Sequence, residues 1–318
     1  MNQSINPITD LTYRGYDGPL ASPEFRWWVI ASMMIRKAAR VNILRVAAGL
    51  SGWYYVMMII ILFFLQGLGN TVPAAQTFYQ QYLDKMVWKD QFIYGFSYAQ
   101  HLLLIVTLIL GAGAIANDNR ANALLVYLSK PCTKWDYVLG KWVGIFVPIL
   151  AVITIPTVVF YAYGVFSFKD AGFLSQDPWL LPKMMFVLVL SAMLHTSLIL
   201  AVSSAFRQGT IAGATYAGVY FITFFFTGLL SILWVGQRGS NSVLMHTLLN
   251  TSIDGIQIGL ARAVLHPSGT FAFGLNLKGN QLPLPIPDVL PMVFVVLAIT
   301  VICLAFVWSR VRAVEVVG

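Results

Sequence analysis

Six uninterrupted apolar runs limit what this chain can fold into. Each is long enough to cross a bilayer, which takes about 20 apolar residues, and each is too apolar around its circumference for a helix of a water-soluble core. The runs cover residues 46–69, 92–116, 137–166, 181–206, 210–235 and 289–308. Only 10% of the residues are charged and the mean hydropathy is +0.75, whereas a soluble domain carries about a quarter charged residues. The sequence therefore predicts an all-α integral membrane protein with six transmembrane helices in a single domain.

Basic residues flank the apolar runs and set the predicted orientation. Thirteen of the twenty lysines and arginines fall on the side that holds both chain termini, and seven fall on the other side. Because positive charge is retained on the cytoplasmic side, both termini are predicted to be cytoplasmic in a bacterial inner membrane. The net charge of +8 is assigned to anchoring in the lipid bilayer, and no nucleic-acid partner is expected.

Enzyme chemistry is not expected in this chain. Residues 1–21 are polar, without the apolar core of a cleaved signal peptide, and are predicted to be a cytoplasmic tail. Cys132 lies in a loop and Cys303 in the last run, so they suggest neither a disulfide framework nor a metal site. The sequence contains no nucleotide-binding loop and no catalytic motif, and no cofactor is expected on it.

An amphipathic helix is predicted over residues 22–45, ahead of a six-span bundle at 46–309. Ser22, Pro23 and Glu24 have the order of a helix start, with a capping serine, a proline and an acid in the first turn. The apolar face comprises Trp27, Ala31, Met34, Ala38 and Val41, and the basic face Arg26, Lys37 and Arg40. This pattern is typical of a helix in the headgroup region with its tryptophans toward the lipid. The alternative is the start of an over-long first span.

The loop at residues 117–136, between the second and third runs, is predicted to contain a short helix. Asn117 or Asp118 can cap it, because their side chains accept from the free amides of a first helical turn. Lys130 and Pro131 end it, since proline disfavours helical geometry in the residue before it. Its apolar positions recur at i, i+3, i+4 and i+7 and are Ala121, Leu124, Leu125 and Leu128. A leucine stripe between two spans predicts a docking surface.

The next helix begins with a predicted capping box, in which Thr133 and Asp136 satisfy each other's backbone amides.

Two outer segments are also predicted to contain helices. Residues 70–91 can form one short surface helix, and residues 237–287 one or two interfacial helices, one of them ending at His266 and Pro267. The alternative for 237–287 is a disordered loop, which its high content of Leu, Ile and Val disfavours. The apolar stripe of that segment is Ile256, Leu260, Ala263 and Val264.

Features inside the spans leave alternatives open. Small residues recur every four positions along two seams of the fifth run, where another helix can approach closely. The seams are Gly209, Gly213 and Ala217, and Thr210, Ala214 and Gly218. They serve either packing inside the bundle or a dimer contact. Pro148 and Pro156 are predicted to kink the third span. His101 and His195 are weak candidates for a translocation path; a neutral histidine bonded to a neighbouring helix is the alternative.

The run from Asp118 to Lys141 reads D-x-R-x-x-A-L-x-x-Y-L-S-K-P-x-x-K-x-D-Y-x-x-G-K. It resembles the loop between the second and third spans in permease subunits of type-2 exporter-branch ATP-binding-cassette transporters. The Leu-Ser-Lys-Pro run, followed by Tyr137, Gly140 and Lys141, is the most specific part. The resemblance extends along the chain, because the family also has an amphipathic elbow helix, six spans and external helices before the last span.

The resemblance implies that this chain is the membrane half of an exporter and performs no chemistry of its own. Its loop 117–136 would form a coupling helix that sits in a cleft of a separate ATPase subunit, which binds ATP and Mg. A second permease copy or a sister permease would complete the transporter. The leucine stripe would dock, and Pro131 would end the docking helix. The residues implied to pair with ATPase charges are Asp118, Arg120, Lys130 and Lys134.

Other interpretations remain for these residues and for the chain. The basic side chains of the loop can instead anchor in lipid headgroups, and for Lys141 anchoring is at least as good an interpretation. A membrane scaffold for a motility or enzyme-maturation complex is the rival function. A secondary transporter is disfavoured, because neither charged mid-membrane sites nor inverted repeats are evident in the sequence.

Overall fold

A computed structural model describes residues 25–123, 132–169, 172–236, 248–268 and 286–311. In chain order its helices are α1 (Arg26–Arg40), α2 (Asn42–Ser51), α3 (Trp53–Thr71), α4 (Pro73–Lys85), α5 (Trp88–Gly111), α6 (Ala116–Arg120), α7 (Lys134–Phe168), α8 (Phe173–Gln176), α9 (Leu180–Ala205), α10 (Gly209–Gly236), α11 (Ile253–Leu265) and α12 (Val289–Arg310). Six of them, α3, α5, α7, α9, α10 and α12, are long and apolar enough to span a membrane. The predicted all-α fold with six spans is confirmed.

The fourth span, α9, is the centre of the bundle. It packs against α5, α7, α10, α11 and α12. Of an apolar stretch of 18 residues in this helix, 67% is buried inside the chain. The corresponding shares for the fifth and sixth spans are only 17% and 22%. These two helices therefore leave most of their apolar surface for lipid or for another chain.

The first predicted span is divided into two helices. Helix α2 ends at Ser51, and α3 begins at Trp53, after Gly52. A Cβ atom on Gly52 would lie 2.6 Å from the Cβ of Pro156 in the third span, so only glycine permits this approach. The spanning helix therefore starts at Trp53, and the predicted start at residue 46 is wrong. The other five spans differ from their predicted bounds by only a few residues.

The third span continues through both of its prolines as one helix of 35 residues. Pro156 has no N–H, so the carbonyl of Val152 loses its partner one turn earlier. The Ser51 hydroxyl lies 3.0 Å from that carbonyl oxygen and donates to it, a bond shared with the carbonyl of Ala48. A side chain at the end of α2 thus compensates for the proline in α7.

Helix α1 packs along the beginning of α7. Ala31 and Ala38, on the predicted apolar face, are buried, and Lys37 and Arg40 are exposed. The contact is close because a Cβ on Gly140 would lie 2.7 Å from the backbone oxygen of Trp27. Gly144 repeats the arrangement one turn later, against Met34. An amphipathic helix is therefore present over Arg26–Arg40, and residues 42–45 of the predicted helix belong to α2 instead. The predicted start at residues 22–24 lies outside the described residues, and the role as an elbow helix stays a prediction.

The second outer segment contains α11. Helix α11 ends where predicted, at His266, whose φ of 47° is left-handed. It is also a packed part of the bundle, because it contacts α5, α9, α10 and α12 and nine of its residues are buried; its interfacial position stays a prediction. The stripe residues Ile256, Leu260 and Ala263 face this core. The first outer segment contains α4, which packs back on α3, where Gly69 approaches Tyr79.

Candidate functional site

The described part of the predicted coupling loop begins with a short helix that a distant side chain caps. Helix α6 has Ile115 at its N-cap position, and no side chain of its own accepts from its first amides. Instead, Ser203 Oγ on α9 accepts from the amides of Ile115 and Ala116, both at 3.0 Å, and donates to the carbonyl of Ala112 at 2.9 Å. Asn117 and Asp118, the predicted caps, lie inside α6, which ends at Arg120 before the predicted leucine stripe, so neither is the N-cap of α6. Most of the predicted stripe helix lies outside the described residues.

Asp118 is engaged inside the chain. Its Oδ2 lies 2.7 Å from Lys141 Nζ and accepts a hydrogen bond of 2.8 Å from the Tyr137 hydroxyl. Only 19% of the Asp118 side chain and 8% of the Lys141 side chain is exposed. The end of the second-span segment is thus joined to the third span by a largely buried ion pair.

Lys141 does not anchor in headgroups. Besides Asp118, its ammonium donates to the carbonyl of Ala114 at 2.8 Å and lies 5.5 Å from the centre of the Tyr137 ring. Both bonds go to the segment between the second and third spans, so one lysine fixes two points of it. The anchoring interpretation of Lys141 is therefore wrong.

The other predicted coupling residues divide between surface positions and positions outside the described part. Arg120 and Ala121 are exposed, and Lys134 is half-buried at the start of α7. Asn122 has a positive φ of 52°, which asparagine tolerates better than most residues. The remaining predicted residues lie outside the described residues and are Leu124, Leu125, Leu128, Lys130 and Pro131. Their docking role stays a prediction.

The capping box at the start of α7 is confirmed. Thr133 Oγ1 accepts from the Asp136 amide at 3.2 Å, and Asp136 Oδ2 accepts from the Thr133 amide at 2.9 Å. Cys132, just before it, is half-buried; burial raises the pKa of its thiol, the Asp136 charge raises it further, and Arg26 lowers it.

The two small-residue seams of α10 have different surroundings. A Cβ on Gly209 would lie 2.9 Å from the Cα of Gly113, and one on Gly213 would lie 3.3 Å from Ala112 Cβ. Both contacts are within the chain, at the end of the second-span segment. A Cβ on Gly218 would meet nothing within 4 Å. The first seam therefore packs inside the bundle, with Ala217 half-buried further along it, while Thr210 and Ala214 of the second seam are exposed.

His195 lies in a buried hydrogen-bond network of three helices. Its Nδ1 is 2.6 Å from the Tyr216 hydroxyl on α10, and its Nε2 is 3.0 Å from Gln257 Nε2 on α11. Ser191 donates to the Gln257 side-chain oxygen, so the Gln257 amide nitrogen is free to donate to His195 Nε2. A neutral ring protonated at Nδ1 satisfies both contacts. This is the arrangement of a histidine bonded to neighbouring helices, and sequence patterns gave no sign of Gln257 as its partner.

His101 has different surroundings. Its side chain is exposed and its ring packs edge-on against Phe224, with centroids 5.3 Å apart. The structure therefore does not bring His101 and His195 into one site, and a role of either in a translocation path stays a prediction. Within the described ranges no group of three His, Cys, Asp or Glu side chains could hold a metal ion.

These features define a multi-pass helical membrane protein in which the segment at the end of the second span is bonded to the third and fourth spans. A family model described as ABC-2 family transporter protein matches residues 51–307, a stretch that includes nearly all of the six spans. The chain belongs to this family and is a membrane permease subunit of an ABC transporter. A search of curated proteins found no individual match.

Proposed function

We propose that this permease is the membrane-spanning half of an ATP-driven exporter in a bacterial inner membrane. A separate cytoplasmic ATPase subunit binds ATP and Mg²⁺, and its movements drive a substrate outward through the spans. Family membership supports the permease role, and the resemblance of residues 118–141 to exporter-branch loops supports the direction. The distribution of basic residues supports cytoplasmic termini, which places the loop 117–136 where an ATPase can reach it.

The observation that carries the proposal is the attachment of Asp118 to Lys141 and Tyr137. A docked ATPase would push on the loop 117–136, whose first helical turn contains Asp118. The ion pair of 2.7 Å and the hydrogen bond of 2.8 Å then pass the displacement to the beginning of α7. Asn119 adds a second attachment, because its amide nitrogen lies 3.4 Å from the carbonyls of Ser204 and Phe206 at the end of α9. A push on the loop therefore reaches two spans.

A second permease copy or a sister chain fits the exposed face of α10. Thr210, Ala214 and Gly218 form a small-residue seam with open space beside it, and such seams allow helices in a membrane to approach closely. Large apolar side chains on the same helix remain exposed, including Ile222 at 71% and Phe225 at 68%. This face supports a permease pair with α10 at its contact.

The test of the proposal is a pull-down of the ATPase subunit with the Leu125→Asp variant. An unpaired charge in a buried interface typically costs a few kcal/mol, which is about a hundredfold in affinity. The variant should express and melt like the wild type and lose the ATPase. Asn122→Asp is the matched control, because it adds the same charge to the same loop away from the stripe and preserves tolerance of positive φ.

Equal recovery of the ATPase by wild type and Leu125→Asp would refute the coupling role of the stripe. Partner proteins that co-purify at fixed stoichiometry and do not respond to nucleotide would favour a membrane scaffold. Substrate movement that requires ATP in proteoliposomes containing both subunits would support transport, and its direction would test export.

A further inference from the structure

A small cavity lies where α1, the end of the second-span segment and α7 come together. Its volume is about 290 Å³, close to the lower end of the range of roughly 300–1,000 Å³ typical of small-molecule sites. Met34 of α1 and Gly144 of α7, which meet where these two helices pack, both line it. Gly113, after the end of α5, lines another side. The cavity therefore has room for a small group held between three parts of the chain.

The polar lining of the cavity carries one uncompensated positive charge. Lys141 and Asp118 both line it, and their ion pair of 2.7 Å contributes no net charge. Lys37 of α1 lines it as well, and its side chain is exposed. Within the described ranges no carboxylate forms an ion pair with Lys37. Two lysines against one acid favour an occupant with a single negative charge.

The apolar lining of the cavity adjoins the surface that faces the bilayer. Ile109 lines it from the second span and is 39% exposed, and Met33 lines it from α1 and is 56% exposed. An exposed side chain of a span lies toward lipid tails, whereas the pattern of α1 predicts a helix at the level of the headgroups. The cavity thus joins an apolar rim to a cationic interior, which is the arrangement that suits the phosphate end of a lipid.

We propose that this cavity binds the phosphate group of an anionic phospholipid, with the phosphate at Lys37 and the start of the acyl chains along Met33 and Ile109. A basic residue near the membrane surface attracts an anionic headgroup, and one negative charge balances Lys37. A soluble phosphate matches the charge but leaves the apolar rim uncovered. The bound lipid connects α1 to the segment that carries Asp118, and it requires neither the ATPase nor a particular transported substrate.

The test is native mass spectrometry of the full chain, released from detergent with equal amounts of phosphatidylglycerol and phosphatidylcholine that have the same acyl chains. The wild type should bind its first phosphatidylglycerol about fivefold more tightly than phosphatidylcholine, since one uncompensated lysine acts on the headgroup. Lys37→Gln should remove this preference, and Lys37→Arg should retain it. Arg36→Gln is the matched control, because Arg36 is an exposed cation of the same helix outside the cavity lining; it should keep the preference.

Blocking the mouth of the cavity provides an independent check. Met33→Trp should weaken binding of both lipids, because Met33 lines the cavity and is exposed at its rim. Val29→Trp is the matched control, since Val29 lies one turn earlier on α1, is 67% exposed and is outside the lining; it should leave binding unchanged. All these side chains except that of Lys37 can be compared at equal charge, and each variant should melt like the wild type because the changed position is exposed.

Three results would overturn the lipid site. The first is equal affinity of the wild type for the two lipids, and the second is the same loss of preference in Lys37→Gln and Arg36→Gln. The third is binding of glycerol phosphate with the same dependence on Lys37, which would assign the cavity to a soluble phosphate. Binding of phosphatidylglycerol that is lost in both Lys37→Gln and Met33→Trp, and retained in both controls, would establish the site.

Discussion

The carboxylate of Asp118 and the ammonium of Lys141 join the segment after the second span to the third span at 2.7 Å. Tyr137 donates to the same carboxylate oxygen, and Lys141 also holds the carbonyl of Ala114. The segment after the second span is therefore bonded to the bundle as far as α6. A partner that docked on the loop 117–136, as proposed, would act on a segment whose beginning is held by these bonds.

The Asp118–Lys141 pair should be strongly coupled in stability. Asp118→Asn leaves a largely buried ammonium without its counter-charge, and Lys141→Met leaves the carboxylate without its own. The double variant should lose less than the sum of the two, by about 0.5–3 kcal/mol. Thermal unfolding of the purified permease in detergent measures all three variants.

The control for this cycle is the Lys183–Asp177 pair, which has the same distance of 2.7 Å but a lysine 39% exposed. Its coupling should be about 0.2–1 kcal/mol, as for exposed ion pairs. Simple additivity of Asp118→Asn and Lys141→Met would show that the contact contributes nothing in the folded protein.

Ser203→Ala should destabilise the permease by about 0.5–2 kcal/mol, because it removes the acceptor for two amides at the start of α6. Ser204→Ala is the matched control, since the Ser204 hydroxyl donates to the carbonyl of Ala201 in its own helix. Hydrogen exchange at Ile115 and Ala116 should rise in the first variant alone. Similar exchange in both variants would contradict capping by Ser203.

Leucine at Gly213 and leucine at Gly218 should give opposite results. A side chain at Gly213 meets Ala112 and Leu108 of its own chain, so Gly213→Leu should lower the melting temperature. A side chain at Gly218 enters open space, so Gly218→Leu should leave melting unchanged and reduce dimers in detergent. Intact dimers at normal melting in Gly218→Leu would move the contact between copies away from this seam.

Cys132 should react with a membrane-impermeant maleimide only after cells are opened, because the loop is predicted to be cytoplasmic. The thiolate is the reactive form. Burial and Asp136 raise the pKa of this thiol. The labelling rate of Cys132 should therefore keep rising with pH in a range where the rate of an exposed cysteine has already levelled off. Cys132→Ser should abolish the labelling. Labelling in intact cells would reverse the orientation.

The spans were predictable because crossing a bilayer imposes a local requirement, a long apolar run, that any single stretch reveals. The interruption of the first span at Gly52 was not, because its cause is Pro156 of another helix. The capping box was also predictable, because Thr133 and Asp136 are only three residues apart in the sequence. The cap of α6 was not, because it comes from Ser203 on a distant helix.

Charges near the loop were harder to assign from sequence. An acid and a lysine at the two ends of a loop that is predicted to be cytoplasmic each suggest a surface role, and only the approach of α7 to the end of the second-span segment pairs Asp118 with Lys141. The packing of α1 depends on Gly140 and Gly144, four residues apart. That spacing is the small-residue pattern used for the fifth span, and it could have revealed the contact.

The hydroxyl of Ser51 on the freed carbonyl of Val152 has a mechanical consequence. If α2 and α3 slid along the third span by one turn, the carbonyl would lose its donor inside the bilayer, and the ring of Pro156 would meet a residue bulkier than Gly52. Both penalties oppose sliding along this contact. The first and third spans should therefore travel as one rigid body, and the surface that shears during a transport stroke should lie elsewhere in the bundle.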